Sequence, residues 1–127
     1  MKLYGRPEPR SLSPTYEDAA MNGFQLTFFT EQSTHYQQLP LGEWLVDFAK
    51  RQGVLGATLV SGTEGLDHLG HLHTAHFLSG SDHPVMVTIS TDEPGCEKLL
   101  EALAKESISL SYLKLPIEYG RVGQAEN

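Results

Sequence analysis

At 127 residues the chain has room for one domain with a single core, burying roughly two-thirds of the surface its unfolded form exposes, and is too short for two. A net charge of −7 with only nine Lys and Arg argues against nucleic acid as a partner, because phosphate binding depends on cationic side chains that displace counterions. Cys96 is the only cysteine, which excludes an intrachain disulfide and suits a reducing compartment.

Residues 1–22 carry Pro7, Pro9 and Pro14 and read as an N-terminal arm, with Leu3, Tyr4, Leu12, Tyr16 and Met21 as apolar anchor points, able to lie across a neighbouring subunit. The first ten residues lack the apolar stretch of a signal peptide and no run of eighteen apolar residues occurs, so a cytoplasmic location is expected. From Gly23, the alternation of Phe24, Leu26 and Phe28 with Gln25 and Thr27 predicts a half-buried strand. Phe28 and Phe29 together give that strand an apolar residue on each face. Residues 30–38 read as polar loop. Pro40 then opens a helix whose stripe is Leu41, Trp44, Leu45, Phe48 and Ala49, with Lys50 and Arg51 in its last turn and Gly53 as its C-terminal cap.

A second strand follows over 57–61, and a long loop runs to Pro84. Val85, Val87 and Ile89 mark a third strand. Thr91 or Asp92 caps a second helix with Pro94 in its first turn and Cys96, Leu99, Leu100, Leu103 and Ala104 on one face, which makes Cys96 a small apolar helix residue. Leu113, Leu115 and Ile117 give a fourth strand, which Pro116 places at an edge or a strand end. The organisation is an arm (1–22), a domain (23–120) and a polar tail (121–127). The order β-α-β-β-α-β predicts an α+β, ferredoxin-like sandwich: a four-stranded antiparallel sheet with two helices on one face. The uncovered face then calls for a homo-oligomer.

The chemistry-bearing residues gather in the loop. Glycines at 53, 56, 62 and 65 allow close backbone approach, and Gly62 and Gly65 with Thr58 and Thr63 offer amides and hydroxyls to a phosphate, although no Walker A sequence is present. His68, His71, His73 and His76 lie within nine residues and form a candidate divalent-metal set, with Glu64, Asp67 and Asp82 nearby, but their spacing matches no strong zinc signature. No Gly-x-Ser-x-Gly elbow occurs, and no second feature accompanies the carboxylates Glu64 and Asp67, so the chain does not read as an enzyme.

Gly23-Phe-Gln-Leu-Thr-Phe, Leu41-x-x-x-Leu45, Gly53-Val-Leu-Gly-Ala-Thr-Leu, Gly62-Thr-Glu-Gly65, Leu72-His-Thr-Ala75 and Pro84-Val-Met-Val-Thr-Ile89, taken in order, resemble the PII-like family of unknown function, DUF190, over residues 23–118. The resemblance implies a homotrimeric signalling protein that binds a small effector, an adenine nucleotide above all, in inter-subunit clefts. It implies that residues 62–84 are the T-loop reporting to a target such as a membrane transporter or an enzyme. By the same resemblance the effector residues are Gly56, Thr58, Gly62, Thr63, Glu64, Gly65, His73 and Thr74. The pattern departs from the family at Gly65-Leu66-Asp67 and at His76. No Lys or Arg lies between Arg51 and Lys98, so Lys114, Arg121 or a neighbour's arm would have to neutralise a phosphate. The rival resemblance is to the copper-tolerance CutA type, a metal-binding trimer with the loop histidines as ligands.

Overall fold

The computed structural model describes residues 20–66, 72–74 and 82–124, with 64–66 and 72–74 described by their backbone alone. Strand β1 (Met21–Glu31) is central: it pairs antiparallel with β7 (Pro84–Asp92) on one side and with β8 (Ser111–Tyr119) on the other. Strand β4 (Gly56–Ser61) pairs with the far side of β7, giving the order β4-β7-β1-β8. Helix α1 (Leu41–Gln52) packs over β4 and β7, and α2 (Glu93–Ala104) over β1 and β7. The expected α+β, ferredoxin-like sandwich is the observed fold.

The core follows from the two periodicities. Leu26 and Phe28 on β1 and Val85, Val87 and Ile89 on β7 point to the helices, and all five are buried. Leu41, Trp44, Leu45, Phe48 and Ala49 meet them from α1, and Cys96, Leu99 and Leu103 from α2. Phe28 is 2% exposed and Phe29 is 40% exposed, so consecutive phenylalanines do lie on opposite faces of the sheet.

The capping of both helices agrees with the sequence. Gly53 ends α1 at φ 78° in the left-handed region, its amide donating to carbonyl oxygens of Ala49 and Lys50. Asp92 caps α2, its Oδ1 accepting from the Gly95 amide at 2.9 Å. Pro40 stands one residue before α1, as its N-cap, rather than inside its first turn.

Of the stretch expected as loop, 30–38, Thr30 and Glu31 belong to β1, and β2 (His35–Tyr36) pairs with β3 (Leu39–Pro40) in a small hairpin. Gln37 and Gln38 form its turn with φ of 53° and 69°, the geometry of a tight hairpin usually built with Asn and Gly. The turn is fastened by its neighbours. The Tyr36 ring meets Trp44 edge-on at 4.8 Å, the Trp44 indole N–H donates to Gln37 Oε1 at 3.3 Å, and the Tyr36 hydroxyl donates to Glu106 Oε1 at 2.8 Å.

At Gly23 the backbone of β7 lies so near β1 that a Cβ would overlap the Thr91 carbonyl oxygen, a backbone atom that has little room to shift. Gly23→Ala is expected to lower stability by about 1–3 kcal/mol through overpacking. Asp92→Ala is expected to cost about 1 kcal/mol through loss of the cap. Urea denaturation of both variants checks these values, and a Gly23→Ala midpoint equal to that of the parent would contradict the close approach.

Candidate functional site

Strand β4 is an edge strand, and it carries two of the expected effector residues. Register places Gly56 opposite Ser90 and Thr58 opposite Thr88. Both therefore lie on the sheet face away from the helices, since Ala57 and Leu59 oppose the buried Ile89 and Val87. Thr88 in turn opposes Thr27, and their hydroxyls are 3.4 Å apart. A polar row of Thr58, Thr88 and Thr27 thus crosses the open face. On one side of it lie Val60, Met86 and Phe29, and at its far end stands Leu113.

Beyond β4 the chain does not dissolve into irregular backbone. The Gly62 amide donates to the Pro84 carbonyl at 2.7 Å, which closes the base of the loop, and Thr63 is exposed just outside this bond. Strand β5 (Glu64–Leu66) then pairs antiparallel with β6 (Leu72–Thr74). Its register sets Glu64 against Thr74 and Gly65 against His73. Four of the expected effector residues are thereby brought together as two cross-strand pairs. Gly56 does not join them, because it stands at the opposite end of β4 from Gly62.

The return of the loop is pinned as well. Both oxygens of the Asp82 carboxylate accept from Ser33, one from its amide at 2.9 Å and one from its hydroxyl at 2.6 Å. The Gln32 amide donates to the His83 carbonyl at 2.9 Å. Sequence reasoning did not pick out Ser33, although Asp82 and a nearby Ser-Thr pair are the residue types that make such side-chain-to-backbone bonds.

The candidate metal residues His68, His71 and His76 lie outside the described residues, and of His73 only the backbone is described. Among the described residues, no group of three or more His, Cys, Asp or Glu could hold a metal ion. Of the candidate phosphate-neutralising cations, Lys114 is turned elsewhere. Its register partner is the buried Leu26, and its Nζ sits 4.4 Å above the Phe24 ring on the helix side of the sheet. Arg121, with Ala20, Glu118, Gly120 and Val122, lines a shallow recess of about 230 Å³ beyond the end of β8.

Cys96 is a core residue, 1% exposed. Burial pushes its thiol above the ordinary value, with Lys114 partly opposing and Glu97 adding to the shift.

The chain matches the model of DUF190, described as an uncharacterized ACR, over residues 23–108, and it belongs to that family. A comparison with curated proteins gives no match. Among solved structures it is similar to CPII, a nitrogen regulatory PII-like protein from Thiomonas intermedia K12, solved bound to ADP, AMP and bicarbonate. That similarity has a TM-score of 0.60 and 23% identity, over 80% of this chain and 92% of CPII. The apo form of CPII aligns with a TM-score of 0.54 at 22% identity, over 81% of this chain and 97% of that one. A PII-like signalling protein from Thermus thermophilus aligns with a TM-score of 0.54 at 15% identity, over 80% of this chain and 92% of its own. The fold is that of the PII-like proteins.

A thiol kept protonated by burial stabilises the folded chain fully below its ordinary range, and that contribution is lost as pH rises through the raised folded value. The stability gap between the parent and Cys96→Ala is therefore expected to narrow above about pH 9. Denaturant curves for both proteins between neutral and alkaline pH measure it, and a gap independent of pH would contradict the assignment.

Proposed function

We propose that this protein is a non-enzymatic PII-like regulator: a homotrimer that binds an adenine nucleotide in clefts between subunits and reports occupancy through residues 62–84. The observation that carries this reading is the β5–β6 register. It opposes Glu64 to Thr74 and Gly65 to His73 at a loop leading directly from an exposed edge strand that bears Thr58. A glycine there allows a ligand to approach the main chain closely, and the adjacent strand ends supply amides and hydroxyls.

The nucleotide class is supported by CPII, which has been solved with ADP and AMP. The trimer is supported by the open sheet face. Val60, Met86 and Phe29, with Leu113 and Leu115, lie on the side away from the helices and are between 39% and 58% exposed. Contiguous apolar surface of this kind marks an interaction site more often than a solvated face. In the trimer each cleft would take Thr58 and the loop from one subunit. Arg121, in the recess beyond β8, is the cation that would meet phosphate in place of Lys114. Binding would order the loop and so change the surface it offers to a transporter or an enzyme.

Isothermal titration of ADP into chelator-treated protein is expected to show binding in the absence of added metal. Arg121→Ala is expected to weaken it about tenfold, the loss of one charge-assisted contact of about 1.4 kcal/mol. Lys114→Ala should leave the affinity unchanged. Absence of heat from ADP and AMP alike would overturn the nucleotide reading.

Leu115→Glu introduces a charge on the open face and is expected to convert the trimer to a monomer in light scattering coupled to size exclusion. A parent protein that is already monomeric at micromolar concentration would overturn the trimer.

A further inference from the structure

Gly62 and Pro84 face each other at the base of the loop, one step beyond the pair of Ser61 and Val85, and the Gly62 amide donates to the Pro84 carbonyl. Residues that face in this way in an antiparallel ladder ordinarily exchange two bonds, but a proline has no amide with which to return the second. A further hold on the returning chain comes from its other side, from the residues that follow β1. The Gln32 amide donates to the His83 carbonyl at 2.9 Å, and Ser33 donates to both oxygens of Asp82, from its amide at 2.9 Å and from its hydroxyl at 2.6 Å.

Ser33 takes its position from the residues after it. The Thr34 carbonyl accepts from the amide of Leu41, the first residue of α1, at 2.8 Å, and the Thr34 hydroxyl donates to Glu31 Oε1 at 3.1 Å. His35 Nδ1 donates to the Ser33 carbonyl at 2.9 Å. Tyr36 follows, with its ring against Trp44, which in turn stacks on Phe48 at 4.8 Å within the core. The Tyr36 hydroxyl works in both directions, donating to Glu106 Oε1 at 2.8 Å and accepting from the Ser107 amide at 3.2 Å. Glu106 and Ser107 come directly after Lys105, the C-cap of α2. Residues 33–36 therefore stand between two anchorages: the returning end of the loop and the end of α2.

The hairpin in this segment is not stable through its own backbone. Strands β2 and β3 have two residues each, fewer than an isolated ribbon needs in water, and the turn places Gln37 and Gln38 in the left-handed region, which glycine enters more readily than glutamine. Such a conformation persists because its surroundings over-determine it. Loss of one anchorage lets the hairpin relax, and the contact at the other end then loses the geometry it needs. The anchorage at Glu106 is the more easily disturbed. Its carboxylate stands at the negative end of the α2 dipole, and the last turn of that helix carries no basic residue.

We propose that the two anchorages are coupled through residues 33–36, so that release of the Tyr36 hydroxyl at the end of α2 loosens the Ser33–Asp82 clamp at the return of the loop. Coupling of this kind is reciprocal: opening the clamp weakens the hold of Tyr36 on Glu106 and Ser107 by the same factor. The loop is thereby responsive to the helix layer as well as to the face on which Thr58 lies. The inference is independent of nucleotide binding, since every contact it uses is made within the chain.

The test is residue-resolved amide exchange, by NMR, on the full chain without added ligand, with each variant read at the far anchorage. Tyr36→Phe keeps the ring against Trp44 and removes only the hydroxyl, and it is expected to speed exchange of the Gln32 amide at least threefold. Asp82→Ala removes both acceptors of the clamp, and it is expected to speed exchange of the Ser107 amide by a similar factor. The Val87 amide, inside the sheet, should be unchanged in both, which separates local loosening from a general loss of stability. Gln32 exchange unaltered by Tyr36→Phe, or Ser107 exchange unaltered by Asp82→Ala, would overturn the proposal. Equal acceleration at Val87 would overturn it as well, because the two ends would then communicate only through unfolding of the whole domain.

Discussion

Two helices cover one face of a four-stranded sheet, and that inequality governs the rest of the molecule. On the covered face Leu26, Phe28 and Thr30 of β1 and Val85, Val87, Ile89 and Thr91 of β7 are buried, and the core is continuous from Leu26 and Phe28 through Ile89 to Leu45 and Leu99. On the uncovered face the same strands present Phe29, Met86 and Val60 beside a row of threonines. A one-residue slip of either strand would exchange the two faces. Register is therefore held by the cost of exposing the core, and the open face inherits an arrangement fixed from behind.

The candidate site lies at the edges of the fold and not in its core. Among the described residues no strand meets the outer side of the strand that carries Thr58, and the ribbon that pairs Gly65 with His73 follows from its end. Both are attached to a framework that packing makes stiff, while the attachments themselves rest on a few hydrogen bonds. Such regions occupy the low end of local stability in folded proteins, which suits the proposed role of a segment that responds to a ligand. The hairpin of β2 and β3 is the contrasting case. It is equally small, but Tyr36 ties it to Trp44 and to Glu106, so it behaves as part of the body.

Much of this was legible in the sequence. The alternation in β1, β7 and β8, the apolar stripes of both helices and the caps at Gly53 and Asp92 all rest on residue types whose preference agrees with their surroundings. The short ribbons were not legible. Gln37 and Gln38 occupy a turn that ordinarily advertises itself through Asn and Gly, and three-residue strands are too brief for a period to register. Of the candidate residues, Glu64, Gly65, His73 and Thr74 were each expected from the sequence and the β5–β6 register pairs them, but the length of β4 that separates Gly56 from them was hidden in the linear spacing. Lys114 shows the same limit. Its charge is plain in the chain, yet only the register with Leu26 reveals that it faces the helix side and an aromatic ring.

The bond between Gly62 and Pro84 has a further meaning for how such a protein changes over generations. The loop leaves and re-enters the sheet at one point, and Ser33 and Gln32 hold its returning end in place. Because both ends are fixed at that point, lengthening or shortening the segment between them disturbs no strand of the framework. The entropic penalty is slight, since doubling a flexible loop costs only about 0.6 kcal/mol. The segment is thus an exchangeable cassette: its composition can diverge while the sheet that presents it stays the same.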